Sequence, residues 1–197
     1  MAYAALFISA TTQARRHIPS STEFLSSSPA CPGSPASRHA KCSLSLHFEQ
    51  PCANVRAEIE ARLRAERGWR CPKSHPGRYE LLEASEARVR GRRTTGEGAA
   101  PPGPGKSYTD AFGFDLTSAG SGCEVRACSE SQGPSGCDYS TNFCNMRNLY
   151  CGSADGCSVV AHDLTVREEV EPSCYHSPRC SGSLKGGLET NKEMCRR

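Results

Sequence analysis

The chain has 197 residues and a net charge of +3, with 37% hydrophobic residues and 13 cysteines. That apolar content is low for a chain folded throughout, and no run approaches the roughly 20 apolar residues of a membrane-spanning helix. The small net charge conceals an uneven distribution, +3 over residues 1–47, +4 over 48–106 and −4 over 107–197, which sets a basic front half against an acidic, cysteine-rich back half.

Residues 1–47 are rich in Ser, Thr, Ala and Pro and carry Arg15, Arg16, Arg38 and Lys41 against the single acid Glu23. This is the composition of an organelle transit peptide. Small residues after Met1-Ala2 point to a plastid, so chloroplast import is the first expectation. Secretion is the alternative, on the short apolar run Ala4-Ala5-Leu6-Phe7-Ile8 with cleavage close to Ala10 or Ala14. No positive charge precedes that run, and the chain has no Asn-x-Ser/Thr sequon.

Residues 48–95 are expected to be a basic, weakly helical segment. Over 53–67, Val55, Ile59 and Leu63 recur at four-residue spacing, flanked by the pairs Glu58/Arg62 and Glu60/Arg64. A stripe one residue wide buries little. A second, weaker helix is expected from Tyr79 to Val89. The arginines alternate with glutamates, and only Trp69 and Tyr79 could stack on bases, so nucleic acid is not an expected partner. Residues 96–106 are a Gly/Pro linker. Its end, Gly105-Lys106-Ser107, is not a phosphate-binding loop, because the required earlier glycine is Ala100 and Pro101, Pro102 and Pro104 remove N–H donors.

The folded part is expected at 107–180. Phe112, Phe114 and Leu116 alternate with Gly113 and Asp115. After a turn at 118–122, Cys123, Val125 and Ala127 alternate with Glu124 and Arg126, which predicts a β-hairpin. Ser140 or Thr141 opens a single helical turn, 158–170 is a third strand, and 181–197 is a tail. Three strands bury little, so staples are required. Cys123, Cys128, Cys137, Cys144, Cys151 and Cys157 lie within thirty-five residues at irregular spacing with no Cys-x-x-Cys, which favours disulfides over metal. Zinc has weak support, from Cys123 and Cys128 with His162 and His176, and no cofactor is expected. A redox pair could be Cys123/Cys128 or Cys144/Cys151, beside Arg126 and Arg147. A hydrolytic set drawn from Ser129 or Cys144, His162 and Asp163 is uninformative, and no catalytic residue is assigned.

The runs Cys128-Ser129-Glu130-Ser131-Gln132, Asp138-Tyr139-Ser140-Thr141-Asn142-Phe143-Cys144-Asn145 and Asn148-Leu149-Tyr150-Cys151 resemble a little-characterised family of small, generally plastid-targeted plant and algal proteins. The resemblance spans roughly residues 108–174. It implies that Cys123, Cys128, Cys144, Cys151, Cys157 and Cys174 are the shared cysteines and disulfide candidates, and it implies no activity. Cys137, within Gly133-Pro134-Ser135-Gly136, departs from the pattern. The polar run Ser129, Glu130, Ser131 and Gln132 is either an exposed docking surface or turn chemistry.

Together these readings give a small β-rich (α+β), disulfide-braced module of about three antiparallel strands behind a largely disordered or weakly helical front half. The expected function is non-catalytic: a chloroplast protein that docks onto or assists another plastid protein or complex. The alternatives are a thiol–disulfide redox-responsive protein and a secreted disulfide-rich scaffold.

Overall fold

In the run Cys42-Ser43-Leu44-Ser45-Leu46-His47-Phe48 every second side chain is apolar. In the computed structural model, which describes residues 31–71, 77–95, 107–174 and 188–196, this run is strand β1 (Lys41–Phe48). Helix α1 (Cys52–Leu63) follows, placing Val55, Ile59 and Leu63 in the core as their spacing predicts. A hairpin of β2 (Arg78–Ser85) and β3 (Arg88–Thr94) comes next, and then β4 (Thr109–Ala119) and β5 (Gly122–Ser131). Helix α2 (Thr141–Tyr150), strand β6 (Val166–Cys174) and helix α3 (Leu188–Arg196) complete the described elements.

The strands form one antiparallel sheet in the order β2-β3-β4-β5-β1-β6. Alternation of direction along that order makes β1 and β2 parallel, which requires a long crossover. Helix α1 is that crossover, and it packs on β2, β3, β4 and β5. Helix α2 packs beside it on β5, β1 and β4, and touches α3. The face beneath the helices carries Leu44, Leu46, Phe48, Val89, Phe112, Phe114, Leu116, Val125 and Ala127, all buried in one core. Gly91 belongs to this face as well. A Cβ there would lie 2.6 Å from the ring of Phe112, so glycine lets the aromatic lie flat on β3.

The expected three-strand module with a disordered or weakly helical front half is overturned. The sheet has six strands among the described residues, and three of them, with α1, come from residues 41–95. Two physical features hid them. Ser43 and Ser45 made β1 resemble leader composition, yet they are the polar half of a period-two strand and are buried on the other face of the sheet, Ser43 against Cys31. The expected helix from Tyr79 to Val89 is the β2–β3 hairpin. Its alternation breaks at Leu81-Leu82, where the pairing register shifts and Leu82 turns outward. The hairpin expected after Phe112 is β4–β5. The single turn expected at Ser140 or Thr141 is the whole of α2, and the tail ends in α3. The third strand begins at Val166 rather than at 158. The linker 96–106 and residues 1–30 of the expected leader lie outside the described residues.

Disulfides join Cys31 to Cys128, Cys42 to Cys174, Cys52 to Cys123, Cys144 to Cys195 and Cys151 to Cys157. Cys137 is disulfide-bonded as well, and Cys71 is not. The first three bridges tie the front of the chain to the back across 97, 132 and 71 residues. In a chain-entropy account each such loop is worth about 4–5 kcal/mol. Residues 107–197 expressed alone are therefore expected to stay unfolded, lacking three strands and the partners of Cys123, Cys128 and Cys174. Amide exchange would show this, and native-like protection in that fragment would refute it. Digestion of the whole chain without reductant should yield the three long-range linked peptides.

Candidate functional site

Helix α2 has little amphipathic character because its polar side chains are buried. Asn142, Asn145, Arg147 and Asn148 are each no more than 3% exposed, and buried polar groups need partners. The Asn142 side-chain amide donates to Asp138 and, at 3.4 Å, to the Ser131 hydroxyl, while its oxygen accepts from the Ser129 hydroxyl at 2.7 Å. Asn145 donates to Asp110 at 2.9 Å and to Ser129 Oγ at 3.2 Å. The Tyr79 hydroxyl donates to the Asn145 carbonyl, and Arg93 lies 3.8 Å from Asp110. The Asp138 carboxyl also accepts from the backbone N–H of Asn142. Burial, with Asp110 adding to it, pushes Asp138 up to about 7 against the opposing hydrogen bonds of Asn142.

A second buried carboxylate organises the other end of the helical layer. Glu58 of α1 accepts from the backbone N–H of Val160 at 2.9 Å, of Ala161, and of His162 at 2.7 Å, and from Arg62 Nε at 2.7 Å. Burial alone would raise Glu58, but these four donors outweigh it and hold the carboxyl below its ordinary value. Arg62, pulled down by burial and held up by Glu58, donates to the carbonyls of Asn148 and Cys151 at 2.9 and 2.8 Å. Its Nη1 also lies 3.6 Å from Cys151 Sγ. One arginine thus completes the carboxyl end of α2, where carbonyls would otherwise be orphaned.

Beside this hub is a cleft of about 440 Å³. Arg62, Arg147 and Arg70 line it with Trp69 and the Cys151–Cys157 bridge. Arg62 is balanced by Glu58, and Arg147 pairs with Asp155 at 2.9 Å. The exposed Arg70 leaves the cleft with a cationic surplus. Of the two bridged cysteines, Cys151 is buried and Cys157 is half-buried. Cys71 does not line this cleft. Burial raises its thiol, with Arg93 opposing, which keeps it protonated.

Cys123, Cys128, Cys144, Cys151, Cys157 and Cys174 are all at disulfide distance, but only Cys151 and Cys157 bond within the set. Cys123 and Cys128 are five apart on β5 and point to opposite faces, so they can share neither a metal nor a bridge. The pair Cys144/Cys151 is likewise split between Cys195 and Cys157. Ser129 and Glu130 are buried at the end of β5, so of the two alternatives for the run Ser129–Gln132 the structure shows neither a fully exposed docking surface nor a turn over its first three residues. Glu130 accepts from Gly33 N–H and contacts His39 at 2.9 Å. Ser131 accepts from Asn142, and Gln132 donates to the Gly33 carbonyl. The runs that carry the family resemblance therefore meet each other, Ser129 and Ser131 against Asn142 and Asn145. Asp163 accepts from Ser153, the Ser129 hydroxyl donates to Asn142, and Cys144 is bonded to Cys195, so the candidate nucleophiles of the hydrolytic set are engaged elsewhere. His176 lies outside the described residues.

Sequence reasoning missed Arg62 and Arg70. The Glu58/Arg62 pair was legible as helix spacing, but nothing local signals its burial.

No family model and no curated protein matches the chain. Among solved structures, the chain is similar to the crystal structure of Mll3558 protein from Rhizobium loti, at 12% identity and a TM-score of 0.27, over 47% of this chain and 78% of that one. No helix among the described residues is long and apolar enough to cross a membrane.

Proposed function

We propose that this is a non-catalytic, disulfide-braced chloroplast protein that docks onto or assists another plastid protein, with the arginine-lined cleft receiving an acidic segment of that partner. The cationic surplus at Arg70, beside the half-buried ring of Trp69, is the observation that supports this reading, since aromatic and arginine side chains dominate binding hot spots. The disulfides favour an oxidising compartment. The leader composition favours import, and a cut within residues 1–30 is the one compatible with the Cys31–Cys128 bridge.

Labelled full-length chain, imported into isolated chloroplasts, is expected to yield a protease-protected product that retains Cys31 and migrates on native gels in a complex heavier than the monomer. Arg70→Glu, at an exposed position, should leave import and disulfides intact and return the product to the monomer. A wild-type product that runs as a monomer would remove the docking reading. Translocation into microsomes instead of chloroplasts would move the protein to the secretory route.

A further inference from the structure

We propose that Cys151–Cys157 is a thiol–disulfide exchange site open to a small anionic dithiol, with Cys157 as the sulfur attacked and Cys151 as the leaving group held by Arg62. This does not rest on the docking reading. The bridge closes a loop of only six residues, whereas the other four described bridges span 51 to 132. Opening it therefore releases little chain, and the sheet stays stapled.

The two sulfurs are inequivalent. Cys157, half-buried at the wall of the cleft, is the more accessible of the two residues, while Cys151 is buried with Arg62 Nη1 at 3.6 Å. Glu58 and the carbonyls of Asn148 and Cys151 fix that guanidinium, so a charge formed on Cys151 meets a cation already in place. A thiolate beside a cation is the better leaving group. The cleft, at about 440 Å³, is of the size that admits small molecules, and Arg70 favours an anionic one.

In the step, one thiolate of the dithiol attacks Cys157 Sγ. The new S–S bond forms as the Cys151–Cys157 bond breaks, and the electron pair leaves on Cys151 as a thiolate beside Arg62. The second thiol of the reductant, losing its proton, attacks the reductant's own sulfur in the mixed disulfide. Cys157 departs and takes up a proton. The dithiol leaves as a cyclic disulfide, two electrons having passed to the protein; the proton lost by the second thiol is the one Cys157 takes up, and Cys151 carries the negative charge that the attacking thiolate brought.

The test uses the whole oxidised chain at low ionic strength, with dihydrolipoate as the anionic dithiol and dithiothreitol as the neutral one. Timed alkylation and peptide mapping follow each cysteine, and amide exchange reports whether the fold persists. Cys151 and Cys157 should become alkylatable first while the sheet amides stay protected. The ratio of the dihydrolipoate rate to the dithiothreitol rate should fall about tenfold or more in Arg70→Glu, the range over which a local charge steers association. An unchanged ratio overturns the anionic preference. If Cys144 and Cys195 open as early as Cys151 and Cys157, or if the bridges open only as the sheet unfolds, the exchange site is overturned. Neither result depends on whether a docking complex forms.

Discussion

Glu58→Gln is expected to cost about 3–5 kcal/mol at pH 7, the loss typical of breaking a buried ion pair from one side. Glu58 is fully buried and receives four donors on its two oxygens. Glutamine keeps the shape but supplies one acceptor oxygen, and its amide hydrogens then confront N–H groups that have no water to turn to. The Arg62 charge stays buried without its counter-ion. The pH dependence has a definite sign. The folded Glu58 lies below its ordinary 4.5, so its stabilisation is present above that value and disappears as pH falls through the folded one. The gap between variant and wild type should therefore be widest from pH 6 to 8 and close in acid. Urea unfolding of the oxidised proteins at several pH values measures it. A loss under about 1 kcal/mol at pH 7, no more than a typical net hydrogen bond, would mean that Glu58 does not organise the 160–162 loop.

Asp138→Asn should act in the opposite direction, stabilising the protein at high pH. Asp138 accepts from Asn142 at a buried position, and burial raises it to about 7 from 3.8. Folding therefore takes up a proton between those values. The stability this carboxyl contributes is fully present below 3.8 and is lost as pH rises through about 7. At about 1.4 kcal/mol per pH unit, the span corresponds to at most about 4 kcal/mol. Asparagine keeps an acceptor for Asn142 and has no charge to bury. The variant should match wild type near pH 4, exceed it by up to about 4 kcal/mol at pH 8, and show a flatter stability–pH curve. Parallel curves for the two proteins would refute the assignment.

These two carboxylates show where reading the sequence stops. Both stand in patterns that are legible locally, Glu58 as an i,i+4 partner of Arg62 and Asp138 just ahead of a helix start. Locally, both read as solvated. Their opposite shifts arise from what packs over them: three backbone N–H groups from a loop a hundred residues away for one, and burial beside a second acid, Asp110, for the other. The Cys-rich run shows the same division. That its cysteines would be cross-linked followed from their density and irregular spacing. Which sulfurs meet did not follow, because four of the five described bridges reach elements far away in sequence.

By itself, the sequence determined what short-range periodicity and composition encode. That comprises the α1 stripe of Val55, Ile59 and Leu63, the β4–β5 hairpin, the reliance on disulfides and the uneven charge. Only the tertiary structure decided that β1 belongs inside the sheet, that Tyr79 to Val89 is a hairpin rather than a helix, and that Ser129 and Glu130 are buried. It also placed Arg62 against Cys151. The physical reason is that a serine or arginine on a strand is informative only once the covering layer is known. That layer is supplied by residues 31–40 on one face and by α1 and α2 on the other, through contacts that no local window contains.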